Sequence, residues 1–125
     1  MEHDPLTNIS ALDGRYRNKI GALAELASEF GLMRFRVTIE CEWFIHLANC
    51  PDIPELPPLD DATEAYLRRI ADDFDLAAAR RIKALEATTN HDVKAVEYFV
   101  KEQLATDGEL APLTPWDSPK ATRTR

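Results

Sequence analysis

The chain has 125 residues, of which 45% are hydrophobic and 30% are charged. These proportions are typical of a globular protein rather than a disordered segment, and the length allows one domain with a buried core. The formal net charge of −7 argues against partners such as nucleic acid or an anionic membrane. No apolar run reaches the roughly 18–20 residues that cross a bilayer, and the N-terminus lacks the basic and apolar blocks of a signal peptide. We therefore expect a cytoplasmic protein.

The two cysteines, Cys41 and Cys50, lie in one apolar segment. Neither has the Cys-x-x-Cys spacing or the neighbouring histidines of a zinc site, and the sequence contains no other cluster with metal-ligand spacing. We therefore expect two buried thiols in a reducing compartment and no metal site.

Residues 1–17 predict an irregular lead-in with a turn at Asp13-Gly14. From about Lys19 to Asn49, apolar residues recur every three or four positions, which predicts one long amphipathic helix. Its apolar stripe comprises Leu23, Leu26, Ala27, Phe30, Met33, Val37, Cys41, Phe44, Leu47 and Ala48. Gly31 weakens this pattern without interrupting it. The prolines of residues 51–58 then exclude both helix and central strand, so this segment is predicted to be a stiff connector.

Three shorter helices are predicted after the connector. The first begins near Asp60 or Asp61, whose carboxylates suit the positive end of a helix dipole. The second extends from about Leu76 to Ala87, and the third from His91 to about Ala105. Their inward faces comprise Ala65, Leu67, Ile70 and Phe74, then Ala79, Ile82 and Leu85, and finally Val93, Val96, Val100 and Leu104. Strand-like alternation is almost absent, so the predicted fold class is all-α.

The first of two polar clusters that a helical core does not need is Asp13-Gly14-Arg15-Tyr16. A turn glycine is followed there by a guanidinium and a phenol, which can present a planar fork and a hydroxyl to a phosphate or carboxylate. The alternative is an ordinary loop in which Arg15 and Tyr16 make a surface salt bridge or a packing contact.

The second polar cluster, residues 88–92, stands at the predicted start of the last helix. The spacing of Thr89 and Asp92 matches a capping box, and Asn90 is an alternative cap. The unpaired N–H groups and the dipole of a helix N-terminus attract anions, and the threonine, asparagine and histidine side chains add donors. His91 beside Asp92 also admits acid–base chemistry. The alternative is an ordinary N-cap with an exposed histidine.

Both clusters resemble segments of one enzyme family. The run from Thr88 to Phe99 reads TTNHDVKAVEYF and, together with Asp13-Gly14-Arg15-Tyr16, is similar to adenylosuccinate lyase of the bacterial type. The likeness continues through Ser28-Glu-Phe-Gly-Leu32, Phe35-Arg-Val37, Glu42-Trp43 and Arg81-Ile-Lys83. The twelve-residue run is the most specific part of this resemblance.

The resemblance implies membership of the aspartase/fumarase superfamily, whose members are all-α homotetramers built around a bundle of long helices. The family eliminates fumarate from adenylosuccinate, giving AMP, and from succinylaminoimidazole carboxamide ribotide in purine biosynthesis, without a metal or organic cofactor. Arg15 and Tyr16 match residues that contact the purine nucleotide substrate, at its phosphate. Asn90, His91 and Asp92 match a second binding stretch, whose histidine orients and polarises the substrate.

The resemblance covers residues 1 to about 110, which we expect to form the N-terminal helical domain of the lyase without the central bundle. Residues 111–125 contain three prolines and a net positive charge, so they are predicted to be a divergent, disordered tail. Such a change of character is expected of a truncated or frameshifted reading frame. The family's general acid, a second histidine, and its base, a loop serine, lie in segments outside the resemblance, so the isolated chain is expected to be inactive. The alternative is a non-catalytic helical module that binds a nucleotide or joins a lyase subunit.

Overall fold

A computed structural model describes residues 4–106, and every regular element in that range is helical. Two short 3₁₀ turns, Pro5–Thr7 and Arg17–Lys19, precede five α-helices. These are α1 (Gly21–Ala27), α2 (Glu29–Ala48), α3 (Asp61–Asp72), α4 (Leu76–Thr89) and α5 (Asp92–Thr106). The all-α prediction is therefore confirmed, and none of these helices is long and apolar enough to cross a membrane. The predicted tail, residues 111–125, lies outside the described residues.

The described residues form two compact units, one ending at Leu32 and the other beginning at Met33. The boundary falls inside α2. The single domain predicted for residues 1–110 is not tested by this division, since compact units within a chain need not be separate domains.

Ser28 divides the long helix that the sequence predicts across this region, so that prediction is wrong. Its backbone is extended (φ −86°, ψ 169°) between α1 and α2. Ser28 Oγ accepts a hydrogen bond from the Gly31 N–H at 3.2 Å and donates one to the Ala24 carbonyl. Serine in this conformation caps the helix that follows. A Cβ at Gly31 would lie 2.5 Å from the Glu25 carbonyl oxygen and 2.7 Å from that of Leu26, so α1 ends directly against this glycine.

The buried hydrophobic side chains of the described residues all lie in the unit from Met33 onward. They are Met33, Val37, Cys41, Phe44, Ile45 and Ala48 of α2, Leu67 and Ala71 of α3, Phe74 between α3 and α4, Ala79 and Ile82 of α4, and Ala95, Val96, Phe99, Val100 and Leu104 of α5. The first part of the predicted stripe is exposed instead, with Leu23 at 50% and Leu26 at 58%. Burial raises the pKa of the Cys41 thiol to about 12, which keeps it protonated.

Most residues of the predicted inward faces of the three later helices are buried. These are Leu67, Phe74, Ala79, Ile82, Val96, Val100 and Leu104, whereas Ile70, Leu85 and Val93 are half-buried. Ala65 is exposed, because it precedes Leu67 by two positions and therefore lies on the far side of α3. The predicted starts of α3 and α4 agree with the structure. Asp60 accepts a hydrogen bond from the Thr63 N–H, and Asp75 accepts one from the Ala78 N–H, each at 2.8 Å.

Helices α4 and α5 pack against each other and position the second polar cluster. Only two residues, Asn90 and His91, join them, and the Arg81 and Glu102 side chains of the two helices form an ion pair. Phe99 of α5 meets Phe74 edge-on, with ring centroids 6.0 Å apart. The link between the two helices is therefore anchored on both sides by buried elements.

Candidate functional site

Asn90 is the turning point between α4 and α5. It is the one non-glycine residue with positive φ (φ 51°, ψ 30°) in the part of the chain that the structure describes, and its N–H donates to the Glu86 carbonyl at 2.8 Å. A left-handed residue at this position terminates a helix, and asparagine tolerates it better than most residues. The predicted capping box is therefore wrong, because Thr89 belongs to the last turn of α4 and Asn90 ends that helix.

His91 is the residue that caps α5. Its Nδ1 accepts a hydrogen bond from the Lys94 N–H at 3.2 Å, and its carbonyl accepts one from the Ala95 N–H at 3.1 Å. A neutral imidazole whose Nδ1 accepts carries its proton on Nε2. The side chain is 64% exposed, so Nε2–H is available as a donor at the start of a 15-residue helix.

Asp92 is the first residue of α5, and both of its carboxylate oxygens have partners. Oδ2 accepts from Arg36 Nη1 at 2.7 Å, and Oδ1 accepts from the Val93 N–H at 2.8 Å. These hydrogen bonds, the one from Arg36 above all, lower the pKa of Asp92. Oδ1 lies 3.9 Å from Nδ1 of His91, too far for a hydrogen bond. The adjacent His91 and Asp92 side chains thus do not form a hydrogen-bonded acid–base pair.

Arg15 and Tyr16 belong to the unit that ends at Leu32. Both side chains are exposed, and the guanidinium carbon of Arg15 lies 5.9 Å from the centre of the Tyr16 ring. Nearby, Asn8 Nδ2 donates to the Asp13 carbonyl at 2.6 Å, and a Cβ at Gly14 would lie 2.8 Å from a backbone oxygen. The glycine therefore permits a close backbone approach that holds the turn. A recess of about 580 Å³ lies beside it, lined by Pro5, Leu6, Asn8, Ser10, Ala11, Gly14 and Arg15.

A third feature, a cavity of about 570 Å³, contains none of the predicted site residues. Its lining includes Asp75 and Arg81. Asp75 accepts the Ala78 N–H, and Arg81 forms a two-point ion pair with Glu102, so these polar groups are committed to the fold.

Arg36 is the site residue that the sequence analysis did not single out. Helical periodicity places it beside buried Val37, but its partner Asp92 is 56 positions away, and no local pattern predicts that contact. The available signal was its place in the matched segment Phe35-Arg-Val37. By contrast, the three predicted residues 90–92 are consecutive, so their proximity follows from the sequence itself.

Curated adenylosuccinate lyases have sequences similar to that of this chain. This chain is 48% identical to the adenylosuccinate lyase of Haemophilus influenzae over 114 residues, which are 91% of this chain and 25% of that protein. It is 47% identical over 110 residues to the enzyme of Vibrio cholerae, covering 88% and 24% respectively. By sequence, this chain is a relative of the adenylosuccinate lyases.

The relationship extends beyond bacteria. The adenylosuccinate lyase of Dictyostelium discoideum is 43% identical over 106 residues, which are 82% of this chain and 22% of that protein. No family model matches the chain. The resemblance predicted from the sequence is confirmed, and the chain spans about a quarter of the length of the curated relatives that it matches.

Proposed function

We propose that this chain provides substrate-binding segments of an adenylosuccinate lyase. The reaction is the elimination of fumarate from adenylosuccinate and from succinylaminoimidazole carboxamide ribotide. The main support for the proposal is that the segment most similar to the family overlaps the link between α4 and α5. The most specific part of the family resemblance, residues 88–99, includes the anchored link between α4 and α5, where a helix N-terminus, an imidazole and an amide meet.

The chemistry of that link suits an anionic substrate. The Asp92 and His91 side chains already accept the Val93 and Lys94 N–H groups of the first turn, but the helix dipole still places partial positive charge there. His91 adds Nε2–H as a donor, and Asn90 adds its side-chain amide. In the proposed role His91 orients and polarises the substrate, while Asn90 and Asp92 contribute to binding. Asp92 has both carboxylate oxygens engaged, so its proposed contribution is its backbone N–H at the first position of α5.

Arg15 and Tyr16 are proposed to bind the phosphate of the nucleotide. A guanidinium offers a planar fork of donors that fits phosphate oxygens, and a phenol adds one further donor. Both side chains are exposed, which such a role requires. The purine nucleotide substrate, a homotetrameric assembly and chemistry without a cofactor complete this proposal. A cytoplasmic location also belongs to it, and the free Cys41 and Cys50 thiols fit a reducing compartment.

Nuclear magnetic resonance of the ¹⁵N-labelled 125-residue polypeptide tests the binding role. Adenylosuccinate should shift the amide signals of residues 90–93 and of Arg15 and Tyr16, whereas adenosine, which lacks the phosphate, should leave those of Arg15 and Tyr16 unchanged. His91→Asn keeps a side-chain acceptor for the α5 cap but removes the imidazole, so it should weaken binding without unfolding the helix. Absence of any shift at millimolar adenylosuccinate contradicts the proposal.

Turnover is a separate measurement on the same sample. We expect no fumarate release from the 125-residue polypeptide, because the histidine acid and serine base of the family fall outside the segments that it matches. Fumarate release by polypeptide that is free of host enzyme shows that this expectation is wrong, and it leaves the binding role intact.

One observation favours a second candidate, a helical module that joins a lyase subunit. Phe35, Ile39 and Trp43 recur every four residues along α2 and are 47%, 64% and 53% exposed. Large apolar side chains on one exposed helix face are typical of a protein–protein interface. If this candidate is correct, sedimentation should show a complex when the 125-residue polypeptide is mixed with a full-length lyase relative. Trp43→Glu should abolish that complex.

A further inference from the structure

The carboxylate of Asp92 is joined to a different helix at the point where the proposed substrate site begins. Arg36 of α2 donates Nη1 to Oδ2 at 2.7 Å, and the Val93 N–H donates to Oδ1 at 2.8 Å. The Arg36 side chain is 29% exposed and that of Asp92 is 54% exposed. A carboxylate with both oxygens engaged is a poor direct ligand for an anionic substrate. Its hydrogen bond with Arg36 instead holds the first residue of α5 against α2.

The location of this ion pair distinguishes it from two other pairs that join helices in the same unit. Arg68 pairs with Glu42 at 2.8 Å between α3 and α2, and Arg81 pairs with Glu102 between α4 and α5. Neither of those pairs involves the first residue of a helix. The Arg36–Asp92 pair instead holds the first residue of α5, directly after His91. Exposed pairs contribute little to global stability, so its location rather than its strength gives it a role.

The charge of Arg36 also affects how the start of α5 interacts with an anion. An uncompensated carboxylate at the first position of α5 would repel the phosphate and carboxylates of the proposed substrate. With the Arg36 guanidinium 2.7 Å away, the pair is neutral overall, and the partial positive charge of the helix N-terminus remains available to an anion. Arg36 therefore acts on the site both by fixing Asp92 in place and by cancelling its charge.

We propose that Arg36 is a positioning residue for the lyase chemistry, because it ties Asp92 to α2 and thereby fixes the His91 imidazole at the start of α5. The role of Arg36 in the lyase reaction rests on the proposed function, whereas the predicted effect of Arg36 on the His91 side chain does not. We expect loss of Arg36 to release the bond between the Lys94 N–H and His91 Nδ1, whatever ligand is bound.

The test compares three variants of the 125-residue chain. Arg36→Met removes the charge and keeps the length, Arg36→Lys keeps the charge without the planar fork, and Arg68→Met removes a guanidinium from a comparable pair away from the site. Two readouts are needed: the ring ¹⁵N signals of His91 without ligand, which report the tautomer, and the affinity for adenylosuccinate. Circular dichroism confirms that each variant remains helical.

We expect Arg36→Met to convert the single Nε2–H tautomer of His91 into a mixture and to weaken adenylosuccinate binding about fivefold to tenfold, more at low salt than at high salt. Arg36→Lys should recover part of both properties, and Arg68→Met should change neither. Asp92→Asn combined with Arg36→Met should have no larger effect on the tautomer than either change alone.

Unchanged His91 ring signals in Arg36→Met overturn the inference, as does an equal effect of Arg68→Met. If the unaltered chain binds no adenylosuccinate while Arg36→Met still frees the imidazole, the positioning role stands and the proposed function fails. The two readouts therefore separate the failure of one proposal from the failure of the other.

Discussion

The two loops that match the lyase family are supported in different ways. The link at residues 90–92 joins two helices that carry seven buried hydrophobic side chains, among them Ile82 and Phe99. The turn at residues 13–16 belongs to a segment, residues 4–32, that contributes none of the buried hydrophobic side chains in the described range. The proposed binding residues thus rest on a hydrophobic core in one loop and on local hydrogen bonds in the other.

This difference indicates how much of each loop is organised before a ligand arrives. A backbone anchored by buried helices opens at a free energy close to that of global unfolding, whereas a segment without buried side chains opens locally at little cost. We therefore expect residues 90–92 to be preorganised and residues 13–16 to be ordered only by short-range contacts.

The core prediction uses Phe99→Ala, with Leu23→Ala as the matched change in the other unit. Phe99 is 4% exposed and contacts Phe74, so its truncation should lower the free energy of unfolding by about 3–5 kcal/mol. Leu23 is 50% exposed, and its truncation should change that free energy by less than about 0.5 kcal/mol. Urea unfolding followed by circular dichroism measures both. Equal losses would show that residues 4–32 share the core after all.

The contrast also explains which parts of the fold were predictable. Prolines in residues 51–58 and the apolar period of α3 to α5 act through burial and excluded backbone geometry, and both can be read from the residues. The break at Ser28 could not, because a serine inside an apolar period is compatible with a continuous helix. The exposed Leu23 and Leu26 show that periodicity alone does not establish burial, since a stripe needs a surface to pack against.

The site was predictable to a similar extent and for related reasons. Residues 90–92 stood out because polar side chains crowd a helix boundary. Their individual roles did not, since threonine and asparagine can end one helix as readily as they begin the next. The left-handed backbone of Asn90 decides the matter here. The contact of Arg36 with Asp92 crosses between helices, and such contacts depend on packing that no local pattern contains.

The second prediction concerns the junction of α1 and α2. Gly31→Ala would place a Cβ 2.5 Å from the Glu25 carbonyl oxygen, so α1 must shift, at a cost of about 1–3 kcal/mol. Gly21→Ala is the control, because a Cβ there meets nothing within 4 Å, and this change should leave α1 at least as stable as before. Amide hydrogen exchange should rise in α1 for the first change only. If exchange in α5 rises as strongly, residues 4–32 are coupled to the core.

The third prediction concerns the backbone of Asn90. Alanine in a left-handed conformation is disfavoured by about 1–2 kcal/mol, whereas glycine adopts it freely. Asn90→Ala should therefore lower the free energy of unfolding by about 1 kcal/mol, and Asn90→Gly should leave it nearly unchanged. Urea unfolding of the two variants distinguishes them. Equal stability of both variants would mean that the link between α4 and α5 does not need this conformation.

The smallest effect is the pH dependence of the Arg36–Asp92 pair. The hydrogen bond from Arg36 lowers the folded-state pKa of Asp92 below its ordinary value of 3.8. The pair therefore adds stability above that ordinary value and loses it as pH falls through the folded-state pKa. The difference in unfolding free energy between the unaltered chain and Arg36→Met should be constant from about pH 5 to 7 and should shrink as pH falls through the folded-state pKa of Asp92.

The control repeats the measurement with Asp92→Asn present in both proteins. This change removes the titrating group, so the difference between the chains with and without Arg36→Met should no longer depend on pH. A difference that persists at low pH would mean that Arg36 stabilises the chain by packing of its hydrocarbon stem and not through Asp92. That result would remove the electrostatic contribution of the Arg36–Asp92 pair while leaving its geometry in place. The main difference between residues 90–92 and residues 13–16 would then be the burial of the helices that flank residues 90–92.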